Sequence, residues 1–158
     1  MISELLRYQL YGGNQKVSIL QEIDYLKTYI ALRKLRMSER LRLRVEFPPE
    51  LNELNIYPLL FLPLVENAFK YVGGDYQLDI IMKWENNRIS LFIRNSIPEL
   101  SAEDEALRKS VDERQRKGIG LVNLRRRLSL LYPNKHRLET RKEETEFVAE
   151  LMIEIEDI

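Results

Sequence analysis

Three short groups of residues in this chain have types and spacings that could do chemistry. The first is Leu64-Val65-Glu66-Asn67-Ala68-Phe69-Lys70-Tyr71. On a helix, Asn67, Lys70 and Tyr71 fall at i, i+3 and i+4 and share a face. An amide oxygen can ligate Mg²⁺, and an ammonium can neutralise phosphate, so this face suits an anion with a hydrated metal. Glu66 and Lys70 are also an i, i+4 pair in the favourable orientation. A helix end emerging into solvent with an ordinary ion pair has the same pattern, so the group alone does not decide. The second is Gly118-Ile119-Gly120-Leu121, preceded by Arg116-Lys117. Two glycines let a backbone approach phosphate, and a helix N-terminus after them offers free N–H groups and a positive dipole end. A hinge into a helix is the plainer alternative. The third is Asn95, which continues the alternation of Ile89, Leu91 and Ile93 and should face the same side as those core residues. A polar side chain there needs a partner. A purine base would be suitable, and a turn-forming Asn is the rival reading.

The elements that must position these groups follow from periodicity. Residues 2 to 11 carry Ile2, Leu5, Leu6 and Leu10 at helical spacing, closed by Gly12-Gly13-Asn14. That helix is expected to continue upstream of the sequence. Ser18 with Gln21 fits a capping box, and Ile19, Ile23, Leu26 and Ile30 mark one face of a helix to about Arg36. Leu41, Leu43, Val45 and Phe47 alternate with charges as a half-buried strand, stopped by Pro48-Pro49. Pro58 suits a helix N1 position, and the apolar segment to Val72 predicts a buried helix. Pro63 inside it implies either a kink or a start nearer Pro63. Leu78, Ile80 and Met82, the Asn86-Asn87 turn, and Ile89, Leu91 and Ile93 form an antiparallel hairpin. Residues 97 to 117 hold six acidic and five basic side chains and few large apolar ones, the pattern of a long mobile lid. A helix from about Leu121 to Leu131 and strands near Arg137–Arg141 and Phe147–Glu154 complete the chain. The expected fold is α+β, a two-layer α/β sandwich whose mixed, mostly antiparallel sheet is covered on one face by helices.

Composition narrows the function. The chain has 158 residues, 44% hydrophobic and 32% charged, with 25 basic and 25 acidic side chains. Zero net charge removes the strongly basic signature of a general nucleic-acid binder. Arg125, Arg126 and Arg127 are adjacent on a helix and point to different sides, so no nucleic-acid partner is expected. The absence of Cys excludes disulfides, thiolate zinc sites and Cys nucleophiles. A single His, His136, excludes any site needing two imidazoles and reads as surface or structural. The longest apolar run, Leu59 to Val65, has seven residues, too few to span a bilayer.

In this order the three groups resemble the ATP-binding domain of sensor histidine kinases, in the GHKL ATPase superfamily (gyrase, heat-shock chaperone, histidine kinase, mismatch-repair type). The run from Pro63 to Lys70 is similar to that family's N box, and Gly118 to Leu121 to its G2 box. Arg94-Asn95-Ser96 stands where the G1 box should be. The subfamily that resembles the chain most drives DNA-binding response regulators, often of the LytTR type. Its pattern is carried by Leu6-Arg7-Tyr8, Glu22-Ile23-Asp24-Tyr25-Leu26, Arg33-Lys34-Leu35-Arg36 and Leu121-Val122-Asn123-Leu124-Arg125-Arg126-Arg127-Leu128. The resemblance implies a GHKL-like fold with ATP and Mg²⁺ as cofactors. Asn67 would hold the metal, Lys70 would contact phosphate, and Tyr71 stands where the subfamily usually has His. Lys117, Gly118, Gly120 and Leu121 would line the triphosphate, Asn95 would face the base, and Thr145 would lie near adenine.

It also implies a division into residues 1–17, the end of a dimerisation and phosphoacceptor helix with its linker, and residues 18–158, the catalytic domain. The acceptor His would lie upstream of Leu6-Arg7-Tyr8. The whole protein would be an inner-membrane sensor with this domain in the cytoplasm, a homodimer through the upstream helix, relaying phosphate to a response regulator. The sequence departs from the family at the G1 box, where Asn95 replaces an Asp and Ile97 a Gly, and at Glu144, which replaces the Gly before Thr145. The water-activating Glu of the superfamily's hydrolases is replaced by Pro63, which favours transfer to a protein over hydrolysis. Glu66, adjacent to Asn67 but on another face, is given a supporting role and is the one residue considered as a catalytic base. The altered G1 box keeps open the alternative of a non-catalytic pseudokinase that senses nucleotide or only dimerises. An in-trans serine kinase of the same superfamily fits the Tyr8 and Tyr25 segments less well.

Overall fold

The computed structural model describes residues 15–49, 51, 54–99 and 119–155. The expected helix over 2 to 11, most of the lid, Lys117 and Gly118 lie outside the described residues. The elements in order are β1 (Val17–Ser18), α1 (Ile19–Arg36), β2 (Arg42–Glu46), β3 (Asn55–Ile56) and α2 (Leu62–Tyr71). They continue with β4 (Gln77–Glu85), β5 (Arg88–Ser96), α3 (Ile119–Leu131), β6 (His136–Lys142) and β7 (Glu146–Glu154).

The main sheet has the order β2-β4-β5-β7-β6. Only β2 and β4 run parallel; the other pairs are antiparallel. This is the mixed two-layer arrangement expected from the sequence. The β4–β5 hairpin turns at Asn86 and Asn87, with φ of 52° and 62°. Those values suit a two-residue turn that matches strand twist, and Asn tolerates them better than most residues. The register sets Leu78, Ile80 and Met82 opposite Asn95, Ile93 and Leu91. It sets Asn95, Ile93, Leu91 and Ile89 opposite Phe147, Ala149, Leu151 and Ile153. These inward residues join Leu64, Val65, Ala68 and Phe69 of α2, Ile19, Ile23, Leu26 and Ile30 of α1, and Leu124 and Leu128 of α3 in one core.

Ser18 caps α1 as anticipated, its hydroxyl accepting from the Gln21 N–H at 3.1 Å. The α2 segment resolves the Pro63 question. The helix starts at Leu62 with Pro63 in its first turn, where a missing N–H costs nothing. Pro58 is therefore not a helix N1 residue but part of the loop ahead of it. Two very short strands had no periodicity to betray them. β1 and β3 pair antiparallel, Val17 with Ile56 and Ser18 with Asn55. Val17 thus pairs into the folded body at the border between the two expected segments.

The end of α2 is joined to the end of β5 through backbone. The Gly73 N–H donates to the Ser96 carbonyl at 2.8 Å, and the Ser96 hydroxyl donates to the Gly73 carbonyl at 2.7 Å while accepting from the Gln77 N–H at 2.8 Å. Gly74, at φ +61°, lies so close that an added Cβ would sit 2.8 Å from the Ile97 carbonyl oxygen. Both backbone conformation and contact demand glycine there. Gly74→Ala is expected to cost about 2 kcal/mol of stability by urea denaturation; a change within about 0.5 kcal/mol would show that this junction yields freely.

Candidate functional site

The site is assembled where α2 meets the ends of β5 and β7. α2 buries Leu62, Leu64, Val65, Ala68 and Phe69. The remaining arc carries Pro63, Glu66, Asn67, Lys70 and Tyr71. Asn67 and Tyr71 are half-buried along one border of that arc and Lys70 is exposed near its middle. Among the described residues the Asn67 amide has no hydrogen-bond partner, so its oxygen is available to a ligand.

Glu66 lies along the other border, facing α1. The anticipated Glu66–Lys70 ion pair is not formed; Lys70 Nζ instead stands 5.5 Å from the Tyr71 ring centroid. Desolvation holds the Glu66 carboxyl above its usual range, opposed by the Arg33 guanidinium. Arg33 in turn lies 5.6 Å over the Phe69 ring, which Tyr29 meets edge-on at 6.2 Å. Glu66 therefore belongs to the α1–α2 contact and points away from the face that Asn67 shares.

Asn95 is 1% exposed, as its place at the end of the inward stripe requires. Leu78 and Phe147 flank it on the neighbouring strands. Its Nδ2 donates to the carbonyl of the adjacent Ser96 at 3.4 Å, the outer limit of a useful hydrogen bond. Thr145 is exposed at the β6–β7 turn, and its carbonyl accepts from the Ile97 N–H at 2.9 Å. Asn95 and Thr145 are thus brought to one end of the sheet. Ile97 is 3% exposed; the first residue of the expected lid is anchored, and any loop begins beyond it. Gly120 is exposed at the start of α3, and a Cβ there would meet nothing within 4 Å among the described residues. Packing against the described residues does not require glycine at that position. Leu121 is half-buried beside it.

Sequence reasoning assigned no structural role to the residues that hold this frame. Ser96 and Gly73 lock α2 to β5, and the only sequence signal was the Gly73-Gly74 pair. Glu22, 1% exposed, accepts from the Leu59 N–H at 2.7 Å. Arg127 donates to the carbonyls of Pro58 at 3.0 Å and Leu59 at 3.4 Å. Burial lowers the Arg127 pKa and the Glu22 carboxylate opposes that. The Tyr132 hydroxyl accepts from the Tyr57 N–H at 3.1 Å. Leu59 is held at φ 63°, unusual for a branched residue. His136 binds the Tyr132 carbonyl through Nδ1 at 2.7 Å, a structural contact at the end of α3.

A family model described as "Histidine kinase" matches residues 1–41. The sensor protein kinase HptS of Staphylococcus aureus is 28% identical over 142 residues, covering 87% of this chain and 27% of that protein. The chain thus spans about a quarter of its curated relatives. Among solved structures, the Acinetobacter baumannii histidine kinase AdeS matches with a TM-score of 0.56 at 15% identity, over 98% of this chain and 74% of that one. The catalytic domain of histidine kinase ThkA gives a TM-score of 0.57 at 15% identity, over 89% and 96%.

The chain has the fold of histidine-kinase catalytic domains.

Full-length ShkA in complex with AMPPNP shares the fold as well, with a TM-score of 0.59 at 15% identity, over 89% of this chain and 31% of that one. In the histidine-kinase fold of this chain, the N-box-like helix is α2, the G1-like segment ends β5, and the described part of the G2-like segment opens α3.

Two outcomes test these assignments. Arg127→Ala is expected to cost about 2 kcal/mol in denaturant midpoint analysis, because it removes the charge-assisted bonds to the Pro58 and Leu59 carbonyls and a positive charge that acts on buried Glu22. A cost below about 0.5 kcal/mol would contradict the clamp. For Glu66, a raised folded pKa means that its contribution to stability is present below the unfolded pKa and is lost as pH rises through the folded one. Glu66→Gln should therefore be at least as stable as wild type at about pH 7, with its relative advantage shrinking in acid. A clear loss of stability at neutral pH would show instead that the Glu66 carboxylate is held by a favourable pair.

Proposed function

We propose that this domain binds ATP with Mg²⁺ and transfers the γ-phosphoryl group to a histidine outside this chain, as the kinase domain of a two-component sensor. The observation that carries the reading is the pairing of two side-chain amides. Asn67 stands half-buried and without a described partner on α2, and Asn95 stands fully buried near the end of β5, the strand to which the end of α2 is bonded through Gly73 and Ser96. Asn95 would meet the base, with Thr145 nearby. Lys70, Tyr71, Lys117, Gly118, Gly120 and Leu121 would meet the phosphates, and the open space at Gly120 leaves room for them.

The described residues contain no group of three or more His, Cys, Asp or Glu that could hold a metal. That fits Mg²⁺, which takes one or two protein oxygens and fills its shell from water and substrate phosphates. Asn67 would supply the protein ligand. The ion would neutralise charge on the phosphates. In the transfer, an acceptor imidazole nitrogen bonds to the γ-phosphorus as the bond to the ADP oxygen breaks. Pro63, four residues before Asn67, has no base to activate water in its place, which supports transfer over hydrolysis.

The likeness to HptS, a sensor protein kinase, supports a response regulator as the receiving partner, and the subfamily resemblance supports one of the LytTR type. The same resemblance supports a homodimer through the helix upstream and a membrane-bound sensor with this domain in the cytoplasm. No helix among the described residues is long and apolar enough to cross a membrane. A pseudokinase remains the second reading, favoured by one observation: buried Ile97 fills the place of the family's G1 glycine.

Calorimetric titration with ATP and Mg²⁺ separates these readings. Binding is expected in the range of tens to hundreds of micromolar, on the order of 5–6 kcal/mol. Asn67→Ala should weaken the Mg²⁺-dependent part roughly tenfold or more with an unchanged circular dichroism spectrum. No heat at about millimolar nucleotide would favour the pseudokinase.

A further inference from the structure

Asn95 has a consequence for which nucleotide the site takes. We propose that its amide reads the purine in either of two orientations, so that the site accepts 6-oxopurine nucleotides alongside ATP. This rests on the proposed nucleotide site and deepens it.

The Asn95 backbone is fixed between β4 and β7 by pairing with Leu78 and Phe147. Its side chain is 1% exposed, so a polar end cannot be left to water. Among the described residues its amide makes one hydrogen bond, from Nδ2 to the Ser96 carbonyl at 3.4 Å. A contact that long, to the next residue in the chain, does not fix which end of the amide faces inward. The last side-chain torsion of Asn is broad and roughly two-fold. A half-turn therefore exchanges Oδ1 for Nδ2 at the same point in space.

The two ends do opposite chemistry. Oδ1 accepts from the 6-amino group of adenine, whereas Nδ2 donates to the 6-oxo group of hypoxanthine or guanine. A carboxylate at this position has only the first option. Facing a 6-oxo group it would oppose acceptor to acceptor and reject that base, as sites built for one hydrogen-bond polarity reject the other. The sequence places a neutral amide here, and among the described residues it is nearly unbound. The flanking Leu78 is apolar, and Phe147 offers only its ring, so no neighbour on the adjacent strands imposes a polarity on it.

The test compares ATP and ITP, which differ in the group at position 6, by calorimetry on the full chain with Mg²⁺, with GTP as a third probe for the added 2-amino group. Wild type should bind ITP within about fivefold of ATP. Asn95→Asp should tighten ATP about fivefold and weaken ITP at least about tenfold, since only the carboxylate discriminates. A merely structural Asn95 would move both affinities together. A wild-type preference for ATP over ITP of about fiftyfold or more would overturn this inference and leave the nucleotide site standing. Failure of every nucleotide to bind would overturn both. The wild-type ratio decides even where the variant does not fold.

Discussion

A carboxylate taken out of water must be fully partnered or its site comes apart, and Glu22 is such a carboxylate at 1% exposure. It sits in the first turn of α1 and accepts the Leu59 N–H, and its charge opposes the lowering of the Arg127 pKa on α3. Arg127 holds the carbonyls on either side of that N–H. One short loop, bent through a left-handed Leu59, is thereby gripped from two helices at once. That loop leads into α2, so the clamp sets where α2 begins and which of its residues face the sheet. The direction of Asn67 follows from it.

At the other end of α2 the grip is made by backbone and one hydroxyl. Ser96 takes the Gly73 N–H with its carbonyl and bridges Gly73 and Gln77 with its side chain. The strand that carries Asn95 is thus tied to the helix that carries Asn67, two residues past the latter's end at Tyr71. Ile97 extends the tie to Thr145 through its N–H. The same stretch of β5 has its outer face pinned by Arg94, which reaches buried Asp79 at 2.6 Å and Glu146 at 3.5 Å. The position of Asn95 is fixed from both faces of the sheet while its own amide, among the described residues, makes one long hydrogen bond. A rigid frame around an unsatisfied polar group is what a ligand-reading position needs.

Much of this could be read in the sequence because it rests on local periodicity. The alternation through Ile93 placed Asn95 inward, Ser18 and Gln21 announced the start of α1, and Asn86-Asn87 announced the hairpin. The exceptions share a physical cause: they depend on partners far apart in sequence. The pairing of β1 with β3 involves two residues each and carries no period. Glu22 and Arg127 look like ordinary polar positions of amphipathic helices until the loop between them is folded. The Glu66–Lys70 pair has the right spacing, yet the Glu66 side lies against α1 and Lys70 lies over Tyr71. Spacing on one helix states which side chains are neighbours; the packing of the next helix decides which of them pair.

The central claim is that the two amides, Asn67 and Asn95, face one nucleotide from two elements. Side-chain amide resonances observed by two-dimensional NMR report on each of them separately. With ATP alone the Asn95 amide should shift together with the backbone signals of Ile97 and Thr145, and adding Mg²⁺ should then move the Asn67 amide. Shifts that leave both amides in place and gather instead on the outer sheet face, around Phe92 and Met152, would contradict the account.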